Sequence, residues 1–201
     1  MDSNLHKKAL SLSYFTVGYN IIEGVVSIFA GFLAGSIALV GFGLDSFVES
    51  LSGGVMIWRF SKHGKISEEE KVEKKAARFV AYTFFLLGAY VLYESIKKLI
   101  FREIPDRSLL GIIIAVLSII IMPILFFMKY KTGKAIGSRG LLADSKETLA
   151  CCFLSVALLI GLGLNYLFSF WQADPIVGLI IVVFLFKEGY ETWKAEEVCS
   201  C

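Results

Sequence analysis

Six long apolar segments dominate this chain of 201 residues and restrict its fold more than any other feature. Each is about as long as the roughly 20 residues that a helix needs to cross the hydrocarbon core of a bilayer. In hydrocarbon the backbone N–H and C=O groups must pair within the segment, so such segments are expected to be helical. They cover about residues 9–30, 36–60, 78–99, 108–128, 141–168 and 175–193. The pattern predicts an all-α membrane protein with six transmembrane helices.

The composition agrees with a polytopic membrane protein. Hydrophobic residues make up 56% of the chain and charged residues only 19%, whereas soluble domains carry about a quarter charged residues. We therefore expect residues 1–201 to form a single six-helix transmembrane domain. The longest polar stretch, residues 61–78, is predicted to be a charged cytoplasmic loop, and its mixed charges are spaced as on a solvated helix that extends the third span.

Basic residues are concentrated in alternate connections between the spans. They lie at the N-terminus, in residues 61–78, between Lys129 and Arg139, and at the C-terminal end. Because cytoplasmic loops are enriched in Lys and Arg, both termini are expected in the cytoplasm. The first apolar run has no cleavage site of small residues and is expected to be retained. The predicted location is a multi-pass position in a membrane, the plasma membrane of a prokaryote.

Two carboxylates interrupt the second apolar segment. Asp45 and Glu49 lie four residues apart in GFGLDSFVES, and an ionised acid at the centre of a membrane helix costs about 2.5–3.5 kcal/mol. At this spacing the two side chains share one helix face, with Cβ atoms about 5–6 Å apart. Their repulsion becomes attraction when a divalent cation lies between them. The alternative is that both acids are protonated, or are paired with Lys146.

The fifth segment repeats this spacing in SRGLLADSKETLACC. Asp144, Glu147 and Cys151 fall along one helical stripe, and Glu147 and Cys151 are again four residues apart. Two helices that each offer two ligands in this way can close a four-coordinate site. Carboxylate and thiolate ligands suit zinc, and also cadmium, iron(II), cobalt or manganese. The alternative for Cys151 is a small apolar residue that fills the core.

Other polar residues of the spans are interpreted as supporting residues. Asp144 is a candidate acid in the entry path or at the helix end, and not a ligand. Lys146 is a candidate partner for Asp144 or Glu94, and Glu23 is expected to pair with a neighbouring helix. Cys152 points about 100° away from Cys151 and is expected to pack.

The four cysteines include Cys199 and Cys201 at the C-terminus, and none forms a CxxC pair, which argues against a disulfide framework or a structural zinc site. Cys199 and Cys201 are expected in an unstructured tail, with capture of a soft metal or lipid attachment as the alternative. Glycines around the first two spans are expected to allow close helix packing.

The paired ligands make this chain resemble the cation diffusion facilitator family. The matching segments are SIALVGFGLDSFVESLSGGVMIW, LLADSKETLACCFLS and ADPIVGLIIVVFLFKEG. The resemblance implies six spans with cytoplasmic ends, and the positions of its metal ligands fall on Asp45 and Glu49 and on Glu147 and Cys151. Glu and Cys stand where zinc-transporting members usually have His and Asp. Because the C-terminal cytoplasmic domain of most members has no counterpart, a short, membrane-only branch is expected.

The resemblance also implies a function. The expected activity is proton-coupled efflux of a divalent cation from the cytoplasm, with zinc first and manganese, iron, cobalt or cadmium as other substrates. No cofactor is expected; the partners are the metal ion, protons and the lipid bilayer, with a homodimer left open and no nucleic acid. No GxSxG or HExxH motif occurs, so an enzyme is not expected. The alternative is a non-transporting membrane protein that binds metal or modulates a partner.

Overall fold

A computed structural model describes residues 3–61 and 66–198 of the chain. Over these ranges the chain forms six helices and no strand. They are α1 (Ser3–Ala34), α2 (Ile37–Ser61), α3 (Ile66–Phe101), α4 (Leu109–Ile136), α5 (Arg139–Phe168) and α6 (Ala173–Val198). The prediction of six helices is confirmed, and each apolar segment corresponds to one of them. Of the charged loop, residues 62–65 lie outside the described residues, and so do Cys199 and Cys201; from Ile66 onward the backbone belongs to α3.

Three helices of the described chain are long and apolar enough to cross a membrane. Their spans are Lys7–Ala34, Leu109–Ile136 and Gly140–Phe168, which belong to α1, α4 and α5. Large apolar side chains are also exposed on the outside of the bundle, for example Phe32, Leu86 and Phe127. Apolar exposure on this scale is unusual for a soluble monomer. The outer surface is therefore suited to hydrocarbon rather than to water.

The helices pack in pairs around a centre formed by α2 and α5. The most extensive contacts join α1 to α2, α3 to α6 and α4 to α5. In addition α2 contacts α3, α5 and α6, and α5 contacts α6. A polar side chain on an inward face of α2 or α5 is therefore surrounded by other helices. This position explains why acids on these two helices can be buried.

Two glycines bring α1 and α2 unusually close together. A Cβ atom added to Gly43 would lie 2.8 Å from Ile28 Cγ1 and 2.9 Å from the backbone oxygen of Gly24. A Cβ atom on Gly24 would in turn lie 3.0 Å from the backbone oxygen of Gly43. The close helix packing expected at glycines around the first two spans is confirmed at Gly43.

The start of α2 is capped from the start of α6. Asp174 accepts hydrogen bonds from the Ser36 hydroxyl and, at 2.9 Å, from the backbone N–H of Ile37. Ser36 Oγ accepts from the backbone N–H of Leu39 at 3.1 Å. These bonds satisfy N–H groups that the first turn of a helix leaves without partners. Ser36 before α2 and Asp174 at the start of α6, which are distant in sequence, thus meet at one end of the bundle and orient α2.

Candidate metal site

Asp45 and Glu49 lie one turn apart on α2, in the interior of the bundle. The exposed fractions of the two residues are 8% and 3%. Oε2 of Glu49 is buried and has no hydrogen-bond partner among the described residues. Because an unpaired buried acceptor is costly, this oxygen is a natural ligand for a cation.

The α5 residues of the predicted site lie near Glu49. Cys151 is buried, and its thiol is near the carboxylates of Glu49, Glu23 and Asp45. Glu147 is partly buried; its Oε2 is shielded from solvent and lacks a partner in the described part of the chain. The structure therefore brings Cys151 close to the acids of α2. Cys152, in contrast, packs against the apolar core as expected.

A threonine connects the two central helices at this level. Thr148 on α5 donates a hydrogen bond of 2.6 Å to Glu49 Oε1 on α2. The same hydroxyl oxygen lies 2.9 Å from Lys129 Nζ and accepts a hydrogen bond from it. The bond to a carboxylate is charge-assisted and short, which makes it one of the stronger contacts between α2 and α5. Nothing in the spacing of the acids indicated a role for Thr148.

The structure corrects the position of Lys129, which the apolar pattern assigns to the connection after the fourth span. In fact α4 continues to Ile136, and Lys129 is completely buried within it. The helix ends only at Gly137, whose φ of 66° lies in the left-handed region that glycine favours. The glycine at the true helix end was the signal that could have placed Lys129 inside the bundle. Lys129 therefore no longer counts among the basic residues of the predicted cytoplasmic connections.

Lys129 is also the partner of Asp144. Its Nζ atom lies 2.9 Å from Asp144 Oδ2 and 3.9 Å from Glu49 Oε1. The sequence analysis predicted that Lys146 is the partner of Asp144 or of Glu94. Instead the Lys146 side chain is exposed, and Glu94 pairs with Lys97 at 3.3 Å. The buried ion pair thus joins α4 to α5 and extends to α2.

Glu23 on α1 is joined to the neighbouring helix, as expected. It accepts hydrogen bonds of 3.0 Å from the hydroxyl groups of Tyr19 and Ser46. Ser46 directly follows Asp45 on α2, so the α1 carboxylate lies close to the acids of the predicted site. Glu23 and Asp45 are near enough to interact electrostatically. Glu23 thereby adds a third helix to the polar centre.

Two further residues near the site carried no role in the sequence interpretation. Asn20 is completely buried and its amide faces Glu49, yet neither amide atom has a hydrogen-bond partner among the described residues. Glu188 on α6 is near both Asp45 and Glu147. Asn20 lies one turn before Glu23, a spacing that was available as a signal. Glu188 has no neighbour at i−4 or i+4 that marks it.

The candidate donors do not form a closed metal site in the described part of the chain. Within residues 3–61 and 66–198, no three His, Cys, Asp or Glu side chains are positioned to hold one ion together. Buried carboxylate oxygens without hydrogen-bond partners nevertheless occur on both central helices, on Glu49, Asp144 and Glu147. The ligand set of Asp45, Glu49, Glu147 and Cys151 therefore stays a prediction.

Comparison with known proteins identifies the domain. The family model of the cation efflux transmembrane domain matches residues 14–196. Transmembrane protein 163 of Xenopus laevis is 24% identical over 92% of this chain and 66% of its own length. An uncharacterized transporter of Methanocaldococcus jannaschii is 24% identical over 86% of the chain and 62% of its own. A cadmium, cobalt and zinc/H(+)-K(+) antiporter of Bacillus subtilis is 23% identical over 96% of the chain and 63% of its own.

This chain spans slightly less than two thirds of the length of these curated relatives. The family model, however, covers nearly all of it. The match to a transmembrane domain and the three long apolar helices make it a membrane protein. The chain therefore belongs to the cation diffusion facilitator family, whose cation efflux transmembrane domain it contains.

Proposed function

We propose that this protein transports a divalent metal cation, exporting zinc or a similar transition metal from the cytoplasm in exchange for protons. The observation that supports this function is the position of two candidate ligand pairs on two helices in contact: Asp45 and Glu49 are buried on α2, and on α5 Cys151 is buried and Glu147 is partly buried. Family membership and the name of the Bacillus subtilis antiporter point the same way.

The charge balance of the bundle centre favours a cation. Asp45, Glu49, Asp144 and Glu23 are all buried there, and Lys129 contacts only Glu49 and Asp144 among them. Buried charges of one sign are unfavourable unless something offsets them. A divalent ion supplies two positive charges at one point and binds the oxygen atoms that lack partners. The same argument makes an anion or a neutral solute a poor substrate.

The donor atoms narrow the choice of metal without selecting one. Three carboxylates and one thiolate form a mixed set that suits tetrahedral zinc. The thiolate of Cys151 favours softer ions such as cadmium, while the carboxylates also accept manganese, iron(II) and cobalt. Zinc is the proposed substrate, and these four ions are the alternatives.

Proton exchange follows from the chemistry of these ligands. A thiol or a carboxylic acid must lose its proton before it binds the metal, so protons and metal compete. A site open to the cytoplasm would bind metal, and a site open to a more acidic exterior would take up protons and release it. Alternating access requires helices to rock around a central site. The contact between α2 and α5 is where we expect this movement to act.

The proposed topology has six spans with both termini in the cytoplasm, in the plasma membrane of a prokaryote. The apolar outer surface of the bundle and the length of α1, α4 and α5 support a bundle that spans a membrane. In this arrangement α2, α3 and α6 also cross the bilayer, and each of them packs against other helices of the bundle. A homodimer is compatible with this topology.

The test is metal flux in proteoliposomes that contain the full chain and an internal pH-sensitive dye. A panel of zinc, manganese, iron(II), cobalt and cadmium identifies the substrate, and the dye reports proton counterflow. Asp45→Ala and Glu147→Ala should each abolish flux while the protein still inserts. Glu94→Ala is the matched control, because Glu94 is an acid within an apolar segment that pairs with Lys97 away from the centre.

The flux of the variants decides whether these residues form the transport site. Loss of flux in both variants of the site, with normal flux in the Glu94 variant, supports the assignment. Wild-type flux in the double variant Asp45→Ala, Glu147→Ala would refute it.

A second function keeps metal binding but not transport. The buried network of Lys129 with Asp144, Glu49 and Thr148 favours it, because these contacts would also stabilise a static bundle. Such a protein would bind metal or modulate a partner within the membrane. It would show metal binding in detergent without any flux or pH change in proteoliposomes.

A further inference from the structure

The ammonium group of Lys129 lies among acids from two other helices. It is completely buried, 2.9 Å from Asp144 Oδ2 on α5 and 3.9 Å from Glu49 Oε1 on α2. The Thr148 hydroxyl holds it at 2.9 Å and is itself bonded to Glu49. Lysine is a compact point charge with three donors. This part of the bundle is thus arranged around a cation that belongs to the protein.

The position of this charge bears on metal binding. Glu49 is a predicted ligand, and Asp144 lies on the same stripe of α5 as Glu147 and Cys151. A positive charge this close repels an incoming divalent ion and shares the carboxylate that the ion requires. Because one of the two oxygens of Glu49 is bonded to Thr148 and the other has no partner, the metal and the ammonium group act on one carboxylate from different sides.

We propose that Lys129 is a tethered counter-cation that competes with the transported metal for Glu49. This inference rests on the proposed function and deepens it. The fixed charge makes metal binding weaker and metal release faster than the acids alone would allow. The same charge pairs with Asp144 and keeps this acid from becoming a fifth ligand. A fifth ligand would bind the ion too tightly for release. Lys129 acts through Glu49 and is a positioning residue.

The test replaces the charge by a side chain of similar length. In Lys129→Met, equilibrium binding of Zn²⁺ and Cd²⁺ should tighten about tenfold, because a repelling charge a few Å away is gone. Turnover in proteoliposomes should fall with it, so that KM and kcat decrease together. Lys134→Met is the matched control: it removes an exposed lysine from the same helix and should leave both constants unchanged. A purely structural role of Lys129 would lower activity without tightening binding.

A second pair of variants covers the case in which Lys129→Met does not fold. Loss of the lysine leaves Asp144 as an unpaired buried acid, which is strongly destabilising. The double variant Lys129→Met, Asp144→Asn removes that burden, and Asp144→Asn alone is its reference. Zn²⁺ should bind the double variant about tenfold more tightly than the single one, since only the double variant frees Glu49.

Failure of the proposed competition and failure of the proposed transport function give different results. Equal or weaker Zn²⁺ binding without Lys129 would overturn the competition, even if the wild type transports zinc. Absence of binding and flux for all five metals of the panel in the wild type would instead refute the proposed function.

Discussion

Thr148 on α5 donates a hydrogen bond of 2.6 Å to Glu49 on α2, and the two residues are 99 positions apart in the chain. Both are buried. The bond joins the two central helices at the level of the predicted metal ligands and orients one of those ligands. A relative movement of α2 and α5 must therefore break or rearrange this contact.

Removing the hydroxyl at this position should weaken the bundle. Thr148→Val keeps the shape of the side chain but leaves a carboxylate oxygen of Glu49 without its donor, which costs about 1–3 kcal/mol. Thermal unfolding in detergent measures the loss. Thr148→Ser retains a hydroxyl and should recover most of the stability. Equal stability of the valine variant and the wild type would show that the bond contributes nothing.

The cap between α6 and α2 should matter for stability and not for metal choice. Asp174→Ala removes the acceptor for Ser36 and for the N–H of Ile37, and loss of a cap costs about 0.5–2 kcal/mol. Asp174→Asn keeps one acceptor oxygen and should be affected less. The order of transport rates among zinc, cadmium and manganese should not change in either variant. An altered order would place Asp174 in the metal path.

Close approach of α1 and α2 should make Gly43 intolerant of a methyl group. In Gly43→Ala the new Cβ atom would lie under 3 Å from Ile28 and from the backbone of Gly24, and overpacking of this kind costs about 1–3 kcal/mol. Gly54→Ala, on the same helix, would meet nothing within 4 Å and is the control. Unfolding temperatures in detergent compare the two. Equal temperatures would contradict the packing described for α1 and α2.

Cys151 should set the preference for soft metals. Cys151→Ser replaces a thiolate with a poor hydroxyl ligand, so cadmium and zinc flux should fall more than manganese flux. Cys152→Ser changes a half-buried packing residue and should leave the ratio of cadmium to manganese flux unchanged. A panel of metals in proteoliposomes gives these ratios. A parallel loss for all metals would indicate that Cys151 only packs.

The spacing of residues along the chain was enough to predict the six helices and the face of the helix on which each candidate ligand lies. The lengths of the apolar segments predicted all six helices. The four-residue spacing of Asp45 and Glu49, and of Glu147 and Cys151, predicted that each pair shares one face of its helix. The burial of Asp45, Glu49 and Cys151 agrees with that assignment. These features need only the geometry of one helix.

Contacts between helices could not be read in the same way. The partner of Asp144 is Lys129, from another helix, and not Lys146 only two residues along the chain. Asp174 reaches Ser36 across 138 positions. Which side chains meet depends on how α2, α4, α5 and α6 pack, and no local pattern of charge determines this packing. The predicted position of Lys129 was wrong because the apolar segment ends before Lys129, whereas α4 continues to Ile136.

X-ray absorption at the zinc edge reports whether Asp45, Glu49, Glu147 and Cys151 bind one metal ion together. The full chain should carry Cys199→Ser and Cys201→Ser, so that tail thiols do not contribute. We predict one sulfur ligand at about 2.3 Å and oxygen ligands at about 2.0–2.2 Å, with the sulfur lost in Cys151→Ser and binding lost in Asp45→Ala. A zinc environment that is the same in all three proteins would show that Asp45 and Cys151 are not ligands of the ion.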